Sequence, residues 1–75
     1  PKGEKMRSID ASGSSNIVRI DYNEDTGLLE IQFKDDSVYN YPNVPSNVID
    51  EFEAAESKGK FAHANIYKQY PGYKL

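Results

Sequence analysis

Leu28-Leu-Glu-Ile-Gln-Phe-Lys-Asp-Asp-Ser-Val-Tyr-Asn-Tyr41 is the stretch on which the fold turns. Leu29, Ile31 and Phe33 alternate with Leu28, Glu30, Gln32 and Lys34, the period-two pattern of a strand with one buried face. Val38-Tyr-Asn-Tyr41 follows as a second strand, and the turn between the two decides which of its side chains face inward. A two-residue turn at Asp35-Asp36 would pair Phe33 with Val38 and Ile31 with Asn40, sending an amide into the core and both tyrosines to solvent. A three-residue turn, Lys34 to Asp36 with Asp36 left-handed, pairs Ile31 with Tyr39 and Leu29 with Tyr41. The second register is favoured because it buries two rings rather than an unpaired amide, and Asp tolerates the left-handed region better than most residues. Under the first, Tyr39 and Tyr41 would form an exposed aromatic platform.

Upstream, Val18, Ile20 and Tyr22 alternate with Ile17, Arg19 and Asp21, which predicts a strand over residues 16–22. Asn23-Glu-Asp-Thr-Gly27 supplies its turn. Downstream, Pro42 closes the sheet and Pro45 suits the first turn of a helix. Val48, Ile49, Phe52 and Ala55 recur at helical spacing through residues 46–57, with Asp50, Glu51, Glu53 and Glu56 facing water and Gly59 as the stop. Ala62, Ile66 and Tyr70, with Phe61 beside them, predict a second short helix over residues 60–70, ended by Pro71-Gly72. Residues 1–13 read as a flexible polar leader and residues 14–75 as one domain. The fold class is therefore α+β, a three-stranded antiparallel meander with two short C-terminal helices packed on one face. Such a sheet has two open edges, so either a monomer or a small homo-oligomer is expected.

With 75 residues the chain has material for one modest core, because a domain of this size buries only roughly 60% of its unfolded surface. A deep, fully walled catalytic pocket is not expected. The absence of cysteine excludes a disulfide framework, a thiol nucleophile and a Cys-based zinc site, and suits a cytoplasmic location. No apolar run is long enough to span a membrane, and the first residues are not read as a signal peptide.

The net charge of -3 conceals a division along the chain. Residues 1–20 sum to +2, residues 21–56 hold ten acids against Lys34 for a sum of -9, and residues 57–75 carry four lysines and no acid, for +4. The same basic segment holds Phe61, His63, Tyr67, Tyr70 and Tyr73. Lysines interleaved with aromatics are what a surface needs to neutralise phosphate while offering ring faces to bases. An ordinary amphipathic helix, with rings in the core and lysines in water, carries the same pattern.

Catalytic motifs are missing. His63 is the sole histidine, and a relay combining it with Ser14, Ser15 or Ser57 has no nucleophile elbow to support it. Glu24-Asp25 and Asp35-Asp36 read as turn formers, since neither has the alternating oxygen ligands of a calcium loop. No phosphate-binding glycine loop exists, although Ser12-Gly13-Ser14-Ser15 could offer backbone N–H groups to an anion. No metal and no cofactor is expected.

Placed in this order, Ser15 and Ile17, Asp21-Tyr22, Leu29 and Phe33, Tyr39 and Tyr41, Val44-Pro45, then Ala55, Ser57, Gly59, Ile66 and Tyr70 make a succession that resembles the KTSC domain over about residues 14–70. That short module occurs at the C-terminus of some lysyl-tRNA synthetases and as stand-alone bacterial and phage proteins. It has no settled activity, and its attachment to a tRNA-charging enzyme implies nucleic-acid contact. Three positions depart from the family pattern. Asp36 replaces the usual hairpin Gly, His63 stands for Asn, and Tyr67 stands for the Arg on which a phosphate clamp would rest, though Tyr67 retains a ring to stack on a base.

The expectation that follows is a non-enzymatic binding module that contacts nucleic acid or a nucleotide through Lys58, Lys60, His63, Tyr67, Lys68 and Tyr70. The alternative is a protein-interaction module, a phage or bacterial factor that binds a host protein through its acidic helix or a sheet edge, or that sequesters a nucleotide signal.

Overall fold

The computed structural model describes residues 5–75 and contains a five-stranded antiparallel sheet in the order β1-β2-β3-β4-β5. The strands are β1 (Met6–Ile9), β2 (Ile17–Asn23), β3 (Leu28–Phe33), β4 (Val38–Tyr41) and β5 (Tyr73–Lys74). Between β4 and β5 lie α1 (Ser46–Ala54) and α2 (Lys58–Ala62), the latter running on into a π-helical turn, His63–Tyr67.

The β3–β4 register is the one set by a left-handed Asp36. Its φ is 70°, the Asp36 N–H donates to the Phe33 carbonyl at 2.9 Å, and the Phe33 N–H donates to the Ser37 carbonyl at 2.9 Å. Ile31 therefore faces Tyr39 and Leu29 faces Tyr41. Asp35 stiffens the turn by accepting from the Ser37 hydroxyl and N–H, which hold its carboxyl below the usual carboxylate range. Tyr41 is buried and Tyr39 half-buried, so neither ring forms an open platform.

The sheet has five strands where three were expected, because its two outer strands carry almost no hydrophobic pattern. Met6–Ile9 buries only Ile9, and β5 is two residues long. Both are held by backbone pairing, Arg7 opposite Tyr22 on one side and Tyr39 opposite Lys74 on the other. The edges that the three-stranded reading left open, on β2 and β4, are thus paired. The leader assigned to residues 1–13 is replaced from Met6 onward by β1 and a turn in which Ala11 is buried; residues 1–4 lie outside the described residues. Beyond its ladder β1 is also held by Arg7, whose guanidinium reaches Glu24 at 3.6 Å, Asp50 at 2.9 Å, and Glu53. Its hydrogen bonds to the Glu53 and Asp50 carboxylates raise its already high pKa further.

A second departure lies at the start of β2. The register shifts between Ile17 and Arg19, so Ile17 pairs with Phe33, Arg19 with Gln32, and Val18 is the extra residue. Ile17 consequently joins the buried face while Val18 is left 51% exposed. The strict alternation from Val18 to Tyr22 had the two exchanged.

Core-facing Ile9, Ile20, Tyr22, Leu29, Ile31 and Tyr41 meet Ile49 and Phe52 of α1 and Ala62 and Ile66 of the second helical segment. Phe52 and Phe61 stack at 5.4 Å and tie the helices together. The Tyr22 hydroxyl donates to the buried Val44 carbonyl at 2.5 Å, so the loop before α1 is pinned to the sheet by the one polar atom of a core ring. Helix α1 ends at Ala54 rather than near residue 57, and Gly59 lies in the first turn of α2 instead of stopping α1. Serine causes this: the Ser57 hydroxyl accepts from the Lys60 N–H at 3.3 Å and caps a new helix there.

Two substitutions test this construction. Asp36→Gly relieves a left-handed L-residue at an exposed turn and is expected to raise stability by ~0.5–1 kcal/mol, read as a higher midpoint in urea; a lower midpoint would contradict the turn assignment. At Gly72 a Cβ would come within 3.0 Å of three ring atoms of Tyr41. Gly72→Ala should accordingly detach β5 and lower stability by ~1–3 kcal/mol. Hydrogen exchange at the Leu75 amide, which donates to the Val38 carbonyl at 2.8 Å, is the local readout, and unchanged protection would count against it.

Candidate functional site

Three of the six residues singled out from the sequence converge. Lys60, His63 and Tyr67 line one open cleft of about 570 Å³ together with Gly13, Ser14, Ser15, Asn16, Ser57 and Gly59. Their spacing is helical, three residues and then four, so one side of the helical segment carries all three. The opposite wall comes from the loop before β2. Ser14 organises that loop: its N–H donates to the Ala11 carbonyl at 3.0 Å, and its hydroxyl accepts from the Ile17 N–H at 3.1 Å and donates to the Asn16 side chain at 3.2 Å. Gly59 forms the floor, where an added Cβ would sit 3.5 Å from Asn16 Oδ1 and 3.9 Å from Ser14 Oγ.

The remaining three residues lie elsewhere. Lys58 sends its ammonium to the Ala55 carbonyl at 2.8 Å, closing the end of α1, and its charge helps to hold the Asp10 carboxyl below the ordinary range behind the larger effect of the Ser12 hydrogen bonds. Lys68 is exposed and outside the cleft lining, and Tyr70 is half-buried against the core. The basic aromatic segment is therefore not one continuous face.

Tyr67 is less a free stacking platform than a wall. Its ring stacks on Tyr41 at 5.7 Å and lies 6.1 Å from Phe33. Its hydroxyl is shielded from solvent and has no hydrogen-bond partner. Burial, and behind it the neighbouring Tyr41 phenol, pushes the Tyr67 pKa up to about 12, so the group is a neutral donor at physiological pH. The exposed ring is His63, set edge-on to Tyr67 at 6.2 Å.

Two electrostatic features define what the cleft can accept. No Asp or Glu is among its lining residues, in a chain whose middle segment is strongly acidic. Nor is the Lys60 ammonium or the His63 imidazole engaged in a hydrogen bond or ion pair among the described residues. The cleft thus presents an ammonium, an imidazole and several hydroxyls without a competing carboxylate, the chemistry of an anion site. Ser57 and Asn16 were not assigned to a binding surface from sequence. Ser14 and Ser15 were noticed only as part of a loop able to face an anion; nothing local says that this loop meets α2, some forty residues away.

Among known proteins, no curated protein matches this sequence. The crystal structure of a KTSC domain protein from Yersinia pestis is similar to this chain with a TM-score of 0.83 and 34% sequence identity, over 95% of this chain and 99% of that one. The KTSC domain family model matches residues 13–70, which takes in every residue of the cleft, and the chain belongs to the KTSC domain family.

Proposed function

We propose that this domain is a non-enzymatic binding module, acting in the cytoplasm as a monomer or small homo-oligomer, that holds nucleic acid or a nucleotide at the cleft between the Gly13–Asn16 loop and the second helical segment. The observation that carries the reading is the convergence of Lys60, His63 and Tyr67 with three serines in a cleft lined by no carboxylate. Phosphate is the abundant biological anion that this donor set suits, and His63 offers an exposed ring beside it for a base. Binding is favoured over hydrolysis because an imidazole used as a general base needs a group to orient it, and His63 has no lining carboxylate behind it.

Pairing of the acids supports the same reading. Arg7 engages Glu24, Asp50 and Glu53, and Arg19 engages Asp21 and Glu30. The two guanidinium charges offset two of the ten acids of the middle segment, which lessens its repulsion of phosphate by that much. It also weakens the competing idea that the acidic helix recruits a protein, because Asp50 and Glu53 are already occupied.

Titration with single-stranded RNA and with a nucleotide at low salt should shift the amide resonances of Asn16, Ser57, Lys60 and His63. Lys60→Glu is expected to reduce affinity about tenfold or more, ~1.4 kcal/mol. Unmoved resonances, or equal binding by the charge-reversed protein, would remove the reading in favour of a protein partner.

A further inference from the structure

We infer that the cleft takes a single terminal phosphate, the monoester dianion of a nucleotide, rather than the internal diesters of a polynucleotide. This rests on the proposed function above and narrows it.

A polynucleotide tract needs a row of cations at the spacing of its backbone, each neutralising one phosphate. The described structure has no such row. Of the four lysines in residues 57–75, only Lys60 lines the cleft. Lys58 is turned to the Ala55 carbonyl, Lys74 lies close enough to Asp35 to influence its charge, and Lys68 is outside the lining. A strand leaving the cleft would also meet carboxylates. Asp10 lies near Lys58, and exposed Glu56 immediately precedes the lining residue Ser57.

What the cleft does concentrate is donors without protein partners. The Lys60 ammonium and the His63 imidazole make no hydrogen bond or ion pair among the described residues. One ammonium and one imidazole, backed by the hydroxyls of Ser15 and Ser57, suit a compact dianion with three free oxygens. A diester has two oxygens, one charge, and chain continuing on both sides. The volume, about 570 Å³, falls within the range of small-molecule sites, so a base and sugar can follow the phosphate into it.

Calorimetric or NMR titration of the full chain with adenosine 5′-monophosphate, adenosine, inorganic phosphate and a ten-nucleotide oligoadenylate with hydroxyls at both ends separates the possibilities. Adenosine monophosphate should bind at least tenfold more tightly than adenosine, and inorganic phosphate should compete with it. Lys60→Gln and His63→Gln, both at exposed positions that leave the core intact, should each erase most of that preference. The oligomer should bind no better than adenosine. Equal affinity for adenosine and its monophosphate overturns the inference. So does tighter binding of the oligomer with a salt slope corresponding to two or more phosphates, at about 0.7 per phosphate, although the binding reading then survives. Failure of every probe defeats both.

Discussion

The left-handed turn at Asp36 is the constraint on which the rest depends, because it places the Tyr41 ring inside. One residue of slip would turn every side chain of β4 to the other face. Tyr41 is where three parts of the chain meet. Tyr39 lies beside it at 6.5 Å, Gly72 fits against its ring with no room for a Cβ, and Tyr67 stacks on it at 5.7 Å. The first contact belongs to the sheet, the second brings β5 back to its edge, and the third holds up a wall of the cleft. A backbone choice in an exposed turn is thereby transmitted to the candidate site through one aromatic ring.

Charge is arranged with similar economy. Both arginines come from the first twenty residues, and each gathers carboxylates from the acidic middle. Exposed ion pairs of this kind contribute little each to stability. Their larger effect is on the field, since each arginine on β1 and β2 offsets one negative charge beside the carboxylates it holds. The cleft lies among residues from the two chain segments of positive sum and has no Asp or Glu in its lining, which makes it less repulsive to an anion than the acidic middle of a protein whose overall charge is -3.

How much of this could be read from the sequence follows from how local each cause is. The β3–β4 register was legible because volume and hydrogen bonding both disfavour Asn40 in the core and both favour Tyr41. Lys60, His63 and Tyr67 were legible as candidates because they lie in the basic aromatic segment, but only the fold separates them from Lys58, Lys68 and Tyr70. Val18 was misplaced because a bulge is one residue of excess that periodicity alone does not register. Strands β1 and β5 were missed because Arg7, Ser8 and Lys74 carry no apolar alternation; their pairing comes from backbone groups and from partners distant in sequence. The Ser14–Asn16 wall was invisible for the same reason, since only the folded chain sets it on Gly59.

The succession Ser57-x-Gly59, one of the features by which the sequence resembles its family, gains a physical meaning from this. Ser57 ends the extended link after α1 and starts α2 by accepting from Lys60, which fixes the helical phase and so the direction in which Lys60, His63 and Tyr67 face. A cap one residue later would rotate that trio by about 100° about the helix axis, away from the loop before β2. Gly59 then leaves the floor of the cleft without a side chain. A methyl there would stand at ordinary contact distance from Asn16 and Ser14, so no clash demands glycine; what its absence preserves is polar surface and space. Neither residue is needed to fill the core, for Ser57 is exposed and Gly59 only half-buried. Ser57 and Gly59 therefore act on the form of the cleft, one by setting the helical phase and the other by leaving its floor open, while Ser15 lies exposed on the facing loop.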